Sequence, residues 1–532
     1  MAYPTSQRIQ FNNFKGIRTR NGIATAGTIS ATVCQNIDFV PSGYDAGICI
    51  TTSKGNVKVC EYDGFDLIKG FEFETETGKR LLLYAVNETK GQLIEYNLED
   101  EEFEDTPIID DLTPERQANA ITMIDNAFNT FIFTNGIEYY AWCPDGTTVL
   151  QQLTPQYEDD NGNTIDIKGL AMCEQDGSLV IGSNDGIVIA SEKGDITNFD
   201  YNVSETATKP WMQRFGKPIT AVVTYIDSLL VFTAEDSTVL SGNFSNPTTS
   251  GATRQDASLG GCMSFESWCR HDKYIFFYDN IQKNLYYYMQ NDIGQKVLGE
   301  PIAPEVQKFF NNVNKLQILS FVGDNRSELW LLSNNFKLIF DYYIKEWSER
   351  VCQDLTSYFV FDNNVYSTGG SACFKEKAGE IGMYNEVFYP SKYTMQIINM
   401  GSFSNMKEME FQPLLSVITD YNNTFYIDCF IDGKKVKSKY VKSFYNGAIW
   451  ADDEPLSVDT PLNELWADDE ETTGQTFPTE NDSIIQQIKG KFISNWYYLQ
   501  FTLRTSKRGD DFSITNFELK GITQETDTTG RK

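Results

Sequence analysis

Histidine is almost missing from this chain. Of 532 residues only His271, in "WCRHDKYIFF", carries an imidazole. A Ser-His-Asp or Cys-His device would have to run through that one residue, and the usual His-rich zinc sites are excluded. Cysteine occurs ten times, at 34, 49, 60, 143, 173, 262, 269, 352, 373 and 429, but never as C-x-x-C. That spacing removes zinc ribbons and thioredoxin-type motifs. The thiols are expected to be reduced and to pack as small buried hydrophobes. A phosphate loop would need glycine five residues before Gly78, Gly216 or Gly433, where the chain has Phe73, Trp211 and Asp428. No apolar run approaches the roughly 18 residues of a bilayer span, and "MAYPTSQRIQFNNFKG" lacks an apolar leader segment. Positive charge is scarce: 44 Lys and Arg stand against 74 Asp and Glu, for a net charge of −30. Such a chain repels polyanions, and sequence-specific nucleic-acid readers, which present a basic face, are disfavoured.

What the chain does have is apolar and aromatic residue in short, compact runs. Hydrophobic residues make up 41% and aromatic ones 14%, enough for a large core. The runs are "LLLY" at 81, "FIFT" at 131, "LVIG" at 179, "LVFT" at 230, "YIFF" at 274, "LWLL" at 329 and a weaker "VYST" at 365, spaced by 36 to 55 residues. Their apolar residues are consecutive rather than alternating, as in strands buried on both faces. Segments 121–142 and 219–242 each read strand, turn, strand, turn, strand, and both begin Ile-Thr. Helical periodicity is nearly absent, with 304–316 the best short-helix candidate. Units of this size match the blades of a β-propeller.

The expected fold class is therefore all-β: a propeller of six or seven blades followed by a C-terminal β-sandwich. The expected domains are an N-terminal arm and ring-closing strand over 1–45, a propeller over 46–390 and a sandwich over 400–525. The closing strand is sought in "CQNIDFV" (34–40) or "AGICITTSKGNVKV" (46–59). In the C-terminal part, 424–441 reads as a hairpin turning at Asp432-Gly433, and 496–505 and 512–522 as strands. An acidic stretch at about 451–483 reads as an insertion or long loop. A stack of sandwiches is the alternative.

Few residues suggest chemistry. Asp159, Asn161 and Asn163 alternate as in a calcium loop, but the glycine and glutamate that complete one are missing, so a polar turn is expected. "EKGDITNF" partly resembles a sialidase Asp-box turn without its full order. Carboxylates abound, so the paired acids of a glycoside hydrolase remain open. Trp142, Trp211 and Trp268 are candidates for a glycan platform, against the commoner core role. Residues 1–37 carry Arg8, Lys15, Arg18 and Arg20 and no acid. These four cations are read as assembly contacts on an acidic neighbouring subunit or tail protein, since oppositely charged surfaces help fix register, with DNA phosphate or a merely solvated strand as the alternatives. No catalytic, cofactor-binding or metal residues are assigned.

Several phrases, taken in order, resemble one family: the tail nozzle, or packaged-DNA stabilisation, proteins of short-tailed bacteriophages. They are "FNNFKGIRTRNG…CQNIDFVPSGYDAGICITTSKGNVKV", "SEKGDITNFD", "GKPITAVVTYIDSLLVFTAEDSTVLSG" with "LGGCMSFESWCRHDKYIFFYDN", and "LIFDYYIKEWSER". The resemblance spans about 11–380. The acidity and Asn-rich style also resemble crAss-like phages. The family implies a structural virion protein in a homo-oligomeric ring, typically of six, at the distal end of the tail. It implies contacts with adaptor or hub proteins and fibres, and genomic double-stranded DNA passing through the ring without sequence readout. No cofactor, membrane segment or enzymatic activity is implied. The rival readings are a receptor- or glycan-binding tail propeller and a propeller glycoside hydrolase.

Overall fold

The computed structural model describes residues 5–18, 27–41, 47–125, 127–146, 149–202, 208–225, 227–246, 251–290, 296–298, 302–323, 326–398, 407–418, 424–442, 483–487 and 492–525. The chain forms two units. One gathers Asn56–Ile339 and Gln353–Lys377; the other gathers Met1–Gly55, Phe340–Cys352 and Ala378–Lys532.

The first unit is a β-propeller. Six antiparallel sheets of four or five strands are self-contained. Five lie within 66–112, 119–153, 171–214, 219–260 and 268–298, and the sixth joins the strands of 357–375 to Val57–Glu61. Between the fifth and sixth, the hairpin of Leu316–Gly323 and Arg326–Ser333 continues the ring. Each compact apolar run falls on the second strand of its sheet: Gly78–Val86, Phe128–Thr134, Ser178–Gly182, Ser228–Thr233, Tyr274–Asp279, Arg326–Ser333 and Asn364–Gly369. Their lack of alternation has a direct cause. In Gly78–Val86, Leu81, Leu83 and Ala85 join one core, while Leu82, Tyr84 and Val86 join the next. In Ser228–Thr233, Leu229 and Val231 face one core and Leu230 and Phe232 another. A strand in mid-blade has a neighbouring blade on both faces, so both phases of its pleat must be apolar. Each large side chain so buried contributes about 1.5–3 kcal/mol.

Val57–Glu61 closes the ring by pairing antiparallel with Ala372–Lys375. Only its first three residues overlap the 46–59 candidate. The 34–40 candidate does something else: Ile37–Pro41 pairs with Ile48–Thr52 in the second unit. The helix expected at 304–316 is a single 3-10 turn, Gln307–Phe310, whose N-cap Val306 offers no side-chain acceptor. Without a capping side chain at its start the turn stays short.

In the second unit, the two ends of the chain share a sheet. Thr5–Ile17 runs parallel to Gly27–Gln35 and antiparallel to Ser513–Glu525, which pairs in turn with Lys407–Ile418. Lys392–Met395 lies between Gly27–Gln35 and Leu499–Arg504, and the latter pairs with Thr424–Ile431. The hairpin to Lys434–Lys442 turns at Asp432 and Gly433, both at positive φ (48° and 80°), as a two-residue primed turn requires. The strands after Lys407 are therefore joined to the N-terminal strands, and the division of the chain does not fall at 400. The acidic stretch at 451–483 lies outside the described residues, save for its last residue, Ser483, which begins a strand.

Candidate functional site

The inner strands of the propeller surround an axial cavity of about 680 Å³. Its wall is built from Lys69–Glu72, Asn119–Thr122, Met172–Glu174, Val223–Thr224, Trp268–Arg270, Gln317–Ser320 and Tyr358–Val360. One strand from each part of the ring supplies a few residues, and alternation along each strand turns every second side chain inward. The polar groups are engaged with one another. Lys69 Nζ lies 2.9 Å from Glu266 Oε1 and 5.1 Å from the centre of the Phe265 ring. The Gln317 amide donates to the Tyr358 carbonyl (2.8 Å) and accepts from its N–H (2.7 Å), tying two inner strands together. Arg270 donates to the Thr224 carbonyl, and the Thr224 hydroxyl donates to the Glu174 carbonyl. Glu72 pairs with Lys79 at 3.3 Å. The Gln317, Arg270 and Thr224 bonds join neighbouring blades, the Lys69–Glu266 pair reaches between blades that are not adjacent, and Glu72–Lys79 lies within one sheet. Sequence reasoning did not find this wall, because its partners are far apart in the chain: Lys69 and Glu266 are separated by 197 positions.

His271 sits beside the cavity but does not open onto it. It is 4% exposed, with Nδ1 2.8 Å from the Ser320 hydroxyl and Nε2 2.9 Å from that of Ser327. Burial pushes its pKa below the ordinary value, with Asp272 opposing weakly. Held between two hydroxyls, the imidazole is a neutral link between strands. Cys269, its neighbour in sequence, is buried, and desolvation pushes its thiol well up, the opposite of an activated nucleophile.

The calcium-like phrase is a turn. The Asp159 carboxylate accepts from the Asn163 amide side chain (3.0 Å) and from the N–H groups of Asn163 and Asn161 (both 2.8 Å). These bonds hold its pKa at about 2 and close the hairpin of Gln156–Glu158 with Thr164–Asp166. Among the described residues no cluster of His, Cys, Asp and Glu is arranged to hold a metal ion.

"SEKGDITNFD" is also a turn. Gly194 has φ +79°. Asp195 accepts from the N–H and hydroxyl of Thr197 (2.9 and 2.7 Å), and the Asn198 amide donates to Glu192 (2.7 Å). Ile196 and Phe199 drop into the core shared by 119–153 and 171–214.

The four N-terminal cations have separate fates. Arg20 lies outside the described residues. Arg8 is on Thr5–Ile17, in register with Lys520. Lys15 and Arg18 both reach Glu346, at 3.6 and 3.0 Å, and Glu346 also accepts from Gly16 N–H at 2.8 Å. The Glu346 side chain is 3% exposed. Burial pushes its pKa up, against the pull of Arg18, the Gly16 amide and Lys15. Two of the cations read as assembly contacts thus neutralise a buried acid of their own chain.

The three tryptophans also differ. Trp142 is core. Trp268 packs against the core between 219–260 and 268–298 and reaches the axial cavity. Trp211, half-buried, meets Phe244 at 5.5 Å with the rings tilted by 41°, in a separate cleft of about 520 Å³ that also includes Gln175, Asp227 and Asn243.

No family model and no curated protein sequence matches the chain. Similar solved structures are BBS1N in complex with ARL6DN (12% identity, 61% of this chain and 96% of that one, TM-score 0.40), the extracellular domain of the putative one-component system BT4673 from B. thetaiotaomicron (12%, 78% and 50%, 0.39) and the N-terminal domain of Nup159 (9%, 64% and 98%, 0.33). At these values the propeller assignment stands on the strand pairing described above.

Proposed function

We propose that this chain is a structural subunit of a bacteriophage tail nozzle, assembling as a homo-oligomeric ring at the distal end of the tail, retaining packaged DNA and letting it pass during ejection. The observation that carries the reading is the order of nozzle-like phrases across 11–380, whose described residues form strands and turns here. The wall of the axial cavity supports it, since its Lys69 and Arg270 are engaged by groups of the ring itself. A net charge of −30 suits a surface past which a duplex slides, because it offers few phosphate anchors. The axial cavity is of small-molecule size, so DNA would pass through a channel framed by several subunits rather than along the propeller axis. Antibody labelling of virions tests the proposal: label at the tail tip is expected, and label confined to the capsid, or absent from virions, would refute it.

A second reading, a glycan-binding tail propeller, is favoured by the Trp211–Phe244 cleft, where an aromatic platform adjoins amide and carboxylate groups. Binding on a glycan array that is lost in Trp211→Ala would select it.

A further inference from the structure

The seam that closes the propeller carries two cysteines face to face. In the antiparallel pair of Val57–Glu61 and Ala372–Lys375, Cys60 is the register partner of Cys373. The register shifts just beyond this pair, where Phe374 pairs with Lys58 and Val59 is left over; in the regular ladder that ends at Cys60 and Cys373, directly opposed residues have Cα atoms about 4.5 or 5.5 Å apart, depending on whether the pair is hydrogen-bonded. Both values fall in the roughly 4.4–6.8 Å window of a disulfide. The side chains are 7% and 0% exposed, in one core. The hydrogen bond of the Cys373 thiol to Cys60 and its burial together push that thiol well up. Elsewhere cysteines oppose other residue types: Cys34 faces Tyr393, Cys173 faces Val180, Cys269 faces Phe276 and Cys429 faces Lys437. Among the described strand pairings, no other sets cysteine against cysteine.

We propose that Cys60 and Cys373 form a redox clasp on the ring-closing seam, reduced in a thiol-rich medium and oxidised to a disulfide by a low-molecular-weight disulfide. One cysteine, as thiolate, attacks the small disulfide and releases one small thiolate, giving a mixed disulfide. The second cysteine, as thiolate, attacks the protein sulfur of that intermediate and releases the other. The two protons shed by the cysteines end on the two small thiols. The protein loses two electrons and the small disulfide gains them. The loop so closed is the whole ring, and a long loop is where a cross-link constrains the unfolded chain most. Val57–Glu61 reaches its sheet from the other end of the propeller sequence, so its pairing is the step the clasp would secure.

Because both side chains are buried and the Cys373 thiol is raised, direct attack on the folded protein is slow. The test therefore lets the full chain refold from denaturant in oxidised and reduced glutathione, with a parallel sample in reductant alone. The expected result is loss of the mass of two hydrogens, a peptide map linking Cys60 to Cys373, and a thermal midpoint several degrees above the reduced sample. Cys60→Ser/Cys373→Ser should show neither the link nor the shift. Should that double variant fail to fold, Cys60→Ala must lack the link. Native protein refolded in the oxidising buffer with both thiols still open to alkylation after unfolding would overturn the proposal. So would cross-links confined to other cysteines.

Discussion

Glu346 shows what single side chains do in this chain. Its carboxylate is buried where Thr5–Ile17 passes Glu346–Glu349, and Arg18, Lys15 and the Gly16 amide are its partners. Removing one partner of a buried ion pair typically costs about 3–5 kcal/mol, because the other charge is left uncompensated. Arg18→Glu adds a like charge to that loss. It should lower the urea midpoint of the isolated subunit sharply, and an unchanged midpoint would return Arg18 to a purely intersubunit role. His271 gives a pH signature. Its folded pKa lies below the unfolded value of about 6.5. The unfolded chain therefore binds the proton more readily, so this stabilisation is complete above that value and is lost as pH falls through the folded pKa. His271→Gln should remove this component. The gap in urea midpoint between pH 7 and pH 5 should then be smaller in the variant than in the parent, and equal gaps would contradict the assignment.

At the scale of elements, the second strands of the blades were legible because their packing is written in consecutive residues. Leu81 to Val86 serve two cores, and no surface strand or helix needs that pattern. The Asp432-Gly433 hairpin was legible because its two positive φ angles leave few residue choices. The closing strand was harder to see. Val57–Glu61 is short, with Val57 and Lys58 exposed, and nothing local names Ala372–Lys375 as its partner. The joining of Thr5–Ile17 to Ser513–Glu525 was invisible for the same reason, as was the cavity wall: each rests on contacts between distant segments. Close approach of strands near the seam gives a test. A Cβ on Gly70 would lie 2.3 Å from the Phe359 ring, which is buried in the core that holds Cys60 and Cys373. Gly70→Ala should cost about 1–3 kcal/mol by overpacking, read as a lowered thermal midpoint. Phe359→Leu should recover part of that loss in the double variant, since residues in contact are not additive. Strict additivity would mean that the two strands do not meet as described.

At the scale of the molecule, the proposed assembly role rests on a propeller, a unit built from both chain ends and a net charge of −30. The lone imidazole is tied between serines, the calcium-like loop satisfies its own carboxylate, and Lys69 and Arg270 of the axial cavity are engaged by Glu266 and the Thr224 carbonyl. Of the four N-terminal cations, Lys15 and Arg18 are spent within the chain, so association would draw on other surfaces. Mass photometry of the purified full chain, paired with negative-stain imaging across a range of concentrations and salt, tests this most directly. The account predicts closed rings, with a mass six times that of the 60.5 kDa subunit if the ring has the size typical of nozzles. A chain that stays monomeric under all these conditions, while binding or cleaving a glycan, would contradict it.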